Sequence, residues 1–446
     1  MWRPSLASAC LIAMLTLGLF LASPIHQVGD SKYSILLSHS LLKRRSFALD
    51  GYGLPAPDSF PQGETPAWSD IYQLEVVNGR LYFRYPPGSS ILSIPFVAIL
   101  DVAGIAPVRP DGKYHRVGEI LIQVGIASLL MSAMAAVFYL MSALILPSRW
   151  SVVVALVGVL GTQAWSTASR GLWSHTWGMF LLGCVALMLV AHETGRLGFN
   201  PILVATLLSW AYFVRPANAI PVIVVTLYVL IFRRRLFPRY AVTGAAWLAV
   251  FIAYSWYHFG RVLPRYFRGS FMTFETFWTA VAGNLISPSR GLFVFVPILL
   301  FVAYLLARYW TWVPYRHLAV LALSIIGAHL ILASGADPWW AGHSYGPRYL
   351  ADMVPWFALL GALSTRAMLD AQRSNEPRGA PLRRRIELTI GAVLLVLSVL
   401  INGRGAFSHA ARMWNVTPVD VNTQPDRVWD WSQPQFLAGL SLRRPP

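Results

Sequence analysis

The chain has 446 residues, 56% of them hydrophobic and 12% charged, with a formal net charge of +17. Soluble domains carry about 25% charged residues, so a soluble globular protein is excluded. The Lys and Arg residues are scattered among apolar runs, which argues against a nucleic-acid partner and suits basic loops that face anionic lipid.

Several apolar runs of roughly 17–25 residues follow one another, each long enough to cross a bilayer. The expected class is an all-α polytopic membrane protein with one domain over residues 1–446. Its two cysteines, Cys10 and Cys184, sit inside apolar runs and have neither disulfide nor metal spacing. Residues 6–22, preceded by Arg3, have the outline of a signal peptide. However, Pro24 makes the Ala22-Ser23 junction a poor cleavage site and many spans follow, so an uncleaved first helix is expected.

A polar loop rich in Pro, Gly, Asp and aromatics runs on to about residue 87. The apolar stretch 88–100 follows; at 1.5 Å per residue it reaches only about 20 Å, short of the roughly 30 Å core. It is expected as a helix lying in the interface, so that the first outer loop covers about 23–116. Further spans are expected near 117–146, 151–168, 176–191, 201–213, 217–232, 240–257, 292–307, 318–333, 350–365 and 386–401, which makes about eleven transmembrane helices. From an inside N-terminus, this alternation places Arg233-Arg234-Arg235 and Arg383-Arg384-Arg385 in short inner loops, as the positive-inside rule requires. Adding a span in the first loop would turn both clusters outward, so it is rejected. Four long segments, 23–116, 258–290, 334–348 and a tail of about 402–446, then share the outer side. No nucleotide-binding glycine motif is present, so a donor used there must arrive already activated, most simply on a lipid.

The candidate chemistry follows from that side. Asp30, a few residues beyond the first span, sits where lipid-borne and water-soluble substrates meet and can act as a general base; the structural alternative is an N-cap for a helix starting at Ser31. It could also help hold a divalent cation, Mg or Mn. Pro86-Pro87 starts the short helix and leaves N–H groups that attract phosphate. Arg84 is beside it to add a bidentate contact, and Tyr85 lies between. Arg170 and His175 fall at an outer end, where His175 is either a metal ligand or an ordinary hydrogen-bonded histidine. Arg215, Arg290 and Arg348 each stand at an outer mouth. A set of arginines on one face suits phosphate or pyrophosphate, whereas each alone could simply snorkel to the surface. Trp340 and His343 precede Arg348, and the aromatics there could stack on sugars or form an interfacial belt. Asn415-Val416-Thr417 is a glycosylation sequon too short to weigh.

Together these residues resemble the GT-C superfamily of polyprenyl-phosphate-dependent glycosyltransferases, which includes protein mannosyltransferases, aminoarabinose transferases and oligosaccharyltransferases. The likeness rests on the acid after the first helix, a large first outer loop with interfacial helices, and the Pro-Pro helix start. It implies that Asp30 matches the family's essential first-loop acid. It also implies that Arg84-Tyr85 stands where relatives carry Glu-Lys, and that Ser169-Arg170 matches a Ser-Arg motif whose following acid is missing here, with His175 the nearby ionisable residue. Arg215 falls where relatives have a Lys.

The expected function is inverting transfer of a sugar from a polyprenyl-phosphate donor to an acceptor hydroxyl on a glycan, lipid or protein. The site would face outside the cytoplasm at the plasma (inner) membrane. Asp30 would be the base, and Arg290, Arg348 and Arg84 would stabilise the departing phosphate. One rival is a lipid-sugar flippase or transporter, disfavoured because span centres hold almost no charge; Glu119 and His329 lie towards span ends. The other rival is a non-catalytic cell-envelope scaffold.

Overall fold

A computed structural model describes residues 5–56, 71–268, 273, 275–374 and 380–440. Parts of the first outer loop, the 258–290 segment, the inner loop before Arg383 and the end of the tail lie outside the described residues. Among the described residues, the regular structure is helical apart from one hairpin. It begins with α1 (Leu6–Ala22) and α2 (Ser34–Arg44), then the hairpin β1 (Leu74–Val77) and β2 (Arg80–Phe83), then α3 (Gly88–Val102). The long helix α4 (Arg116–Ala143) follows, then α5 (Ser148–Leu160), α6 (Gln163–Ser166), α7 (Ser174–Glu193), α8 (Pro201–Val214), α9 (Ala219–Phe232) and α10 (Phe237–Phe259). After α11 (Phe277–Ile286) and the short α12 (Leu292–Phe295) come α13 (Ile298–Arg308), α14 (Arg316–Ser334), α15 (Val354–Ser374), α16 (Ala380–Phe407) and α17 (His409–Met413).

The helix α4 is the pillar of the molecule. It rises about 42 Å over its 28 residues, and α1, α5 and α7 all pack on it. Its buried face mixes Ala127 and Ala135 with Met131, Met134 and Phe138, and the small residues let neighbouring helices approach closely. The hairpin is turned by Asn78-Gly79, both at positive φ, a pairing that suits a tight turn. With α2 it encloses a small core of Tyr33, Leu36, Leu37, Leu49, Tyr52, Leu74, Leu81 and Phe83.

The helical pattern agrees with the expected class, but the spans are less regular than the apolar runs suggested. Among the described residues, five helices are at least 18 residues long and apolar enough to cross a membrane, or six if the bent pair of α5 with residues 163–170 is one span. The other apolar helices among the described residues, α1, α3, α8, α9 (with 216–218), α11 and α13, are 10–17 residues long, so the expected eleven spans are matched by full-length helices only in part. The expected span 151–168 bends by 41° between α5 and α6, and 292–307 is broken between α12 and α13 at Val296-Pro297. Proline lacks the N–H that would continue the ladder. The short helix expected at 88–100 is present as α3, with Pro87 at its N-cap and Pro95 inside it.

Helix ends meet in clusters. Glu193, at the end of α7, pairs with Arg233 and with His317 of α14 (3.1 Å), and Arg366 of α15 donates to the carbonyl of Ile145 (3.0 Å). Ser174 Oγ, at the start of α7, accepts from Arg215 at the end of α8 (3.1 Å), and the start of α3 lies against the same end of α8 at Phe213 and Val214.

Candidate active site

Asp30 lies in the turn ahead of α2, closed by Lys32 N–H donating to the Gly29 carbonyl (3.0 Å), and the backbone on both sides of it is held. Gln27 N–H donates to the Arg170 carbonyl (2.7 Å), and Gln27 Nε2 donates to the Ser166 carbonyl (3.0 Å). Gln73, ahead of β1, donates to the carbonyl of Gly29 (3.0 Å), and Gln123 in α4 donates to that of Ser31 (2.8 Å). Two glycines allow this closeness. A Cβ on Gly171 would stand 2.4 Å from the Gln27 oxygen, and one on Gly29 would stand 3.1 Å from the Trp173 ring. The helix after Asp30 begins at Ser34, not Ser31, with Tyr33 at its N-cap and no side-chain cap. The carboxylate of Asp30 is therefore not spent as an N-cap.

Instead it faces two donors. Tyr72 Oη donates to Oδ1 at 2.8 Å and Arg348 Nη1 donates to Oδ2 at 3.1 Å. Asp30 is 30% exposed and Arg348 11%, so the pair sits at an opening. The Arg348 guanidinium lies over the Trp173 ring, 4.5 Å from its centroid, and near Tyr349 at 5.6 Å. Its Nε has no partner among the described residues. Tyr85 packs on Tyr266 (centroids 5.0 Å apart) and Phe83 (5.7 Å). Burial first, and then the charge of Asp30, push the Tyr72 and Tyr85 phenols well above their ordinary value, so both stay protonated and available as donors.

A second carboxylate, not singled out in the sequence, lies one turn further on. Asp352 is fully buried between His175 Nδ1 (3.0 Å) and Arg215 Nε (2.8 Å). Arg215 Nη1 also donates to Ser174 Oγ (3.1 Å), and His329 Nε2 lies 2.9 Å from the Tyr349 carbonyl. His175 and Arg215, named separately, thus meet on one acid. An isolated Asp near the start of the apolar run 350–365 was the available signal, since acids inside such runs are rarely idle.

The other arginines are engaged elsewhere. Arg170 is buried and donates to the carbonyls of Phe20 and Ser23 and to Ser169 Oγ, which clamps the end of α1. Arg290 is 1% exposed. Its guanidinium donates to the carbonyls of Trp340 (2.8 Å), Ser289 (2.7 Å) and Gly342 (3.1 Å), and to Gln435 and Asn415 side chains at 2.8 Å each. Arg84 lies near Glu75, whose carboxyl is pushed up to about 7, chiefly by burial, with Arg84, Arg265 and Arg261 opposing. Trp340 donates to Asn422 (3.1 Å), and His343 pairs with Asp420 (2.8 Å) in the C-terminal tail. Burial would raise the Asp420 carboxyl, but the His343 hydrogen bond holds it below the ordinary range. Asp30 and His175 sit in separate ion-pair clusters, and no group of three or more His, Cys, Asp or Glu side chains among the described residues could hold a metal ion.

No protein-family model matches the sequence, and no curated protein does. A search of solved structures found ArnT from Cupriavidus metallidurans bound to undecaprenyl phosphate, which matches 92% of this chain and 68% of that one at a TM-score of 0.50 and 15% identity. The chain shares the fold of ArnT. The all-α class expected from the sequence agrees with that shared fold. The apo form of the same ArnT matches 92% of this chain and 79% of that one at 14% identity, with a TM-score of 0.47.

Proposed function

We propose that the chain is a membrane glycosyltransferase that moves a sugar from a polyprenyl-phosphate donor to an acceptor hydroxyl, with inversion at the sugar carbon. The ArnT fold supports a polyprenyl-phosphate-dependent transferase, and that ArnT was solved with undecaprenyl phosphate bound. The observation that carries the residue assignment is the Asp30–Arg348 contact at 3.1 Å. It puts a carboxylate that can take a proton beside a guanidinium that can meet a phosphate. Asp30 takes the acceptor's proton as the hydroxyl oxygen attacks the sugar carbon, and the bond from that carbon to the phosphate oxygen breaks on the opposite side. Polyprenyl phosphate leaves with an added negative charge, which the Arg348 guanidinium stabilises. Tyr72 holds Asp30 in place during the transfer.

A neighbouring apolar cavity of about 710 Å3 suits the prenyl chain. It is lined by Leu350 and Met353 from the segment that begins at Arg348, together with Phe293, Leu299, Leu330 and Phe357. No step is routed through a cation, because the donor set at Asp30 is one carboxylate already facing a phenol and a guanidinium. The site is proposed to open on the non-cytoplasmic face of the inner membrane, where the donor is lipid-borne.

The test is sugar transfer by purified protein against a panel of polyprenyl-phosphate sugars. Asp30→Asn should lower kcat by about 10²–10⁴, the range of a general base, and Arg348→Gln by about 10²–10³, the range of one lost anion-stabilising donor. Wild-type rates from a folded Asp30→Asn protein would remove Asp30 from the reaction.

A further inference from the structure

Gln123 lies two turns into α4, a long apolar helix, and is completely buried. A primary amide in that setting is costly unless all its hydrogen-bonding groups are matched. They are matched, and to two segments that are distant in sequence. Nε2 donates to the Ser31 carbonyl (2.8 Å) and to Glu119 Oε1 (3.1 Å), and Oε1 accepts from Leu172 N–H (3.1 Å). The reverse orientation of the amide is excluded chemically, since it would set NH2 against the N–H of Leu172 and oxygen against the carbonyl of Ser31. Glu119 Oε1 in turn accepts from Ile35 N–H (3.1 Å), so the same network reaches the first turn of α2.

What Gln123 joins matters for the site. Ser31 follows Asp30, the proposed base. Leu172 precedes Trp173, whose ring carries the Arg348 guanidinium at 4.5 Å. One side chain therefore links the backbone beside the carboxylate to the backbone beside the aromatic platform under the guanidinium. The other ties near Asp30 do not do this: the Gln73 amide donates to Gly29, and Gln27 reaches the 166–170 turn ahead of the platform.

We propose that Gln123 is a positioning residue that sets the Asp30–Arg348 pair by bridging Ser31 and Leu172. The inference rests on the glycosyltransferase reading for its effect on rate, but not for its effect on geometry. Gln123→Met keeps the length of the side chain and removes both polar functions. Gln123→Glu keeps the acceptor for Leu172 N–H and loses, when ionised, the donor to Ser31. A misplacement of about 1 Å can cost about 10²-fold in rate. Gln123→Met is therefore expected to lower kcat by about 10–100-fold per folded molecule, with KM for the lipid donor within about twofold. In Gln123→Glu, protonation restores the donor, so its activity relative to wild type at the same pH should recover as pH falls.

The geometry is read separately, by a structure of the Gln123→Met protein, or of Gln123→Glu at high pH if the first does not fold. The pair at 3.1 Å should be lost or displaced. An Asp30–Arg348 contact unchanged in that structure overturns the proposal, whatever the enzyme does. So does a kcat per folded molecule equal to wild type while Asp30→Asn is inactive. If Asp30→Asn transfers sugar normally yet the variant's pair is displaced, the glycosyltransferase roles fail and the positioning stands.

Discussion

Asp352, fully buried, faces His175 Nδ1 at 3.0 Å and Arg215 Nε at 2.8 Å, so one carboxylate anchors two side chains from different helices. Asp30 stood out because it follows an apolar run and opens a polar loop. Arg215, His175 and Arg348 stood out because they punctuate the ends of such runs. Asp352 was hidden by the very apolar segment that contains it, and only the fold brings α7, α8 and the start of α15 together around it. Contacts between residues 177 positions apart leave no trace in local spacing. Its environment makes a firm prediction: removing one partner of a buried charge pair strands the other and typically costs about 3–5 kcal/mol. Asp352→Ala should therefore lower thermal stability in detergent by an amount in that range, and Arg215→Gln in the same background should add little further loss. Full additivity of the two substitutions would mean that the pair is not coupled. Arg170 and Arg290 carry the opposite lesson. Arginines at outer mouths looked alike in the sequence, yet two of them spend their guanidinium groups on carbonyls and amides.

The elements were legible where one apolar run makes one helix, and not where a run is interrupted. The helix α3 was expected from its length and flanking prolines. The breaks between α5 and α6 and between α12 and α13 were not, because hydropathy continues across them while the backbone does not. The first break is useful to the molecule, since it delivers the 168–174 turn to Asp30. The α2 helix and the hairpin lie in a loop whose composition gave no clear period, although Asn78-Gly79 was a readable turn signal. Element packing yields a further prediction at Gly88, the first residue of α3. A Cβ there would stand 2.6–2.7 Å from the backbone of Phe213 and Val214, immediately ahead of Arg215. Gly88→Val must push α3 away from α8, and overpacking of this kind costs typically about 1–3 kcal/mol. Thermal unfolding of the purified variant checks the stability. An unshifted melting temperature would show that α3 and α8 separate freely.

For the whole molecule, composition alone pointed to the helical class. What composition could not show is how the C-terminal tail closes the structure. Gln435 accepts from Arg290 and from Gly346 N–H (3.1 Å), and donates to the Ser344 carbonyl (2.9 Å). Ser287 Oγ donates to the Val428 carbonyl (2.5 Å), and Arg404 Nε to that of Phe436 (3.2 Å). Deleting the chain from His409 onward should therefore uncover Arg290 and loosen the turn that leads to Arg348. The expected result is a lower melting temperature together with increased protease cleavage between 335 and 350, read by limited proteolysis and mass spectrometry. A truncated protein as resistant as the full chain would contradict this role for the tail.

The burial of Arg290 by Gln435 also sets an order of events during biosynthesis. A guanidinium made more than half-way along the chain waits for an amide that leaves the ribosome some 145 residues later. Until then the Asn415 and Gln435 acceptors are missing, so the docking of residues 409–437 over this cation follows the synthesis of α16.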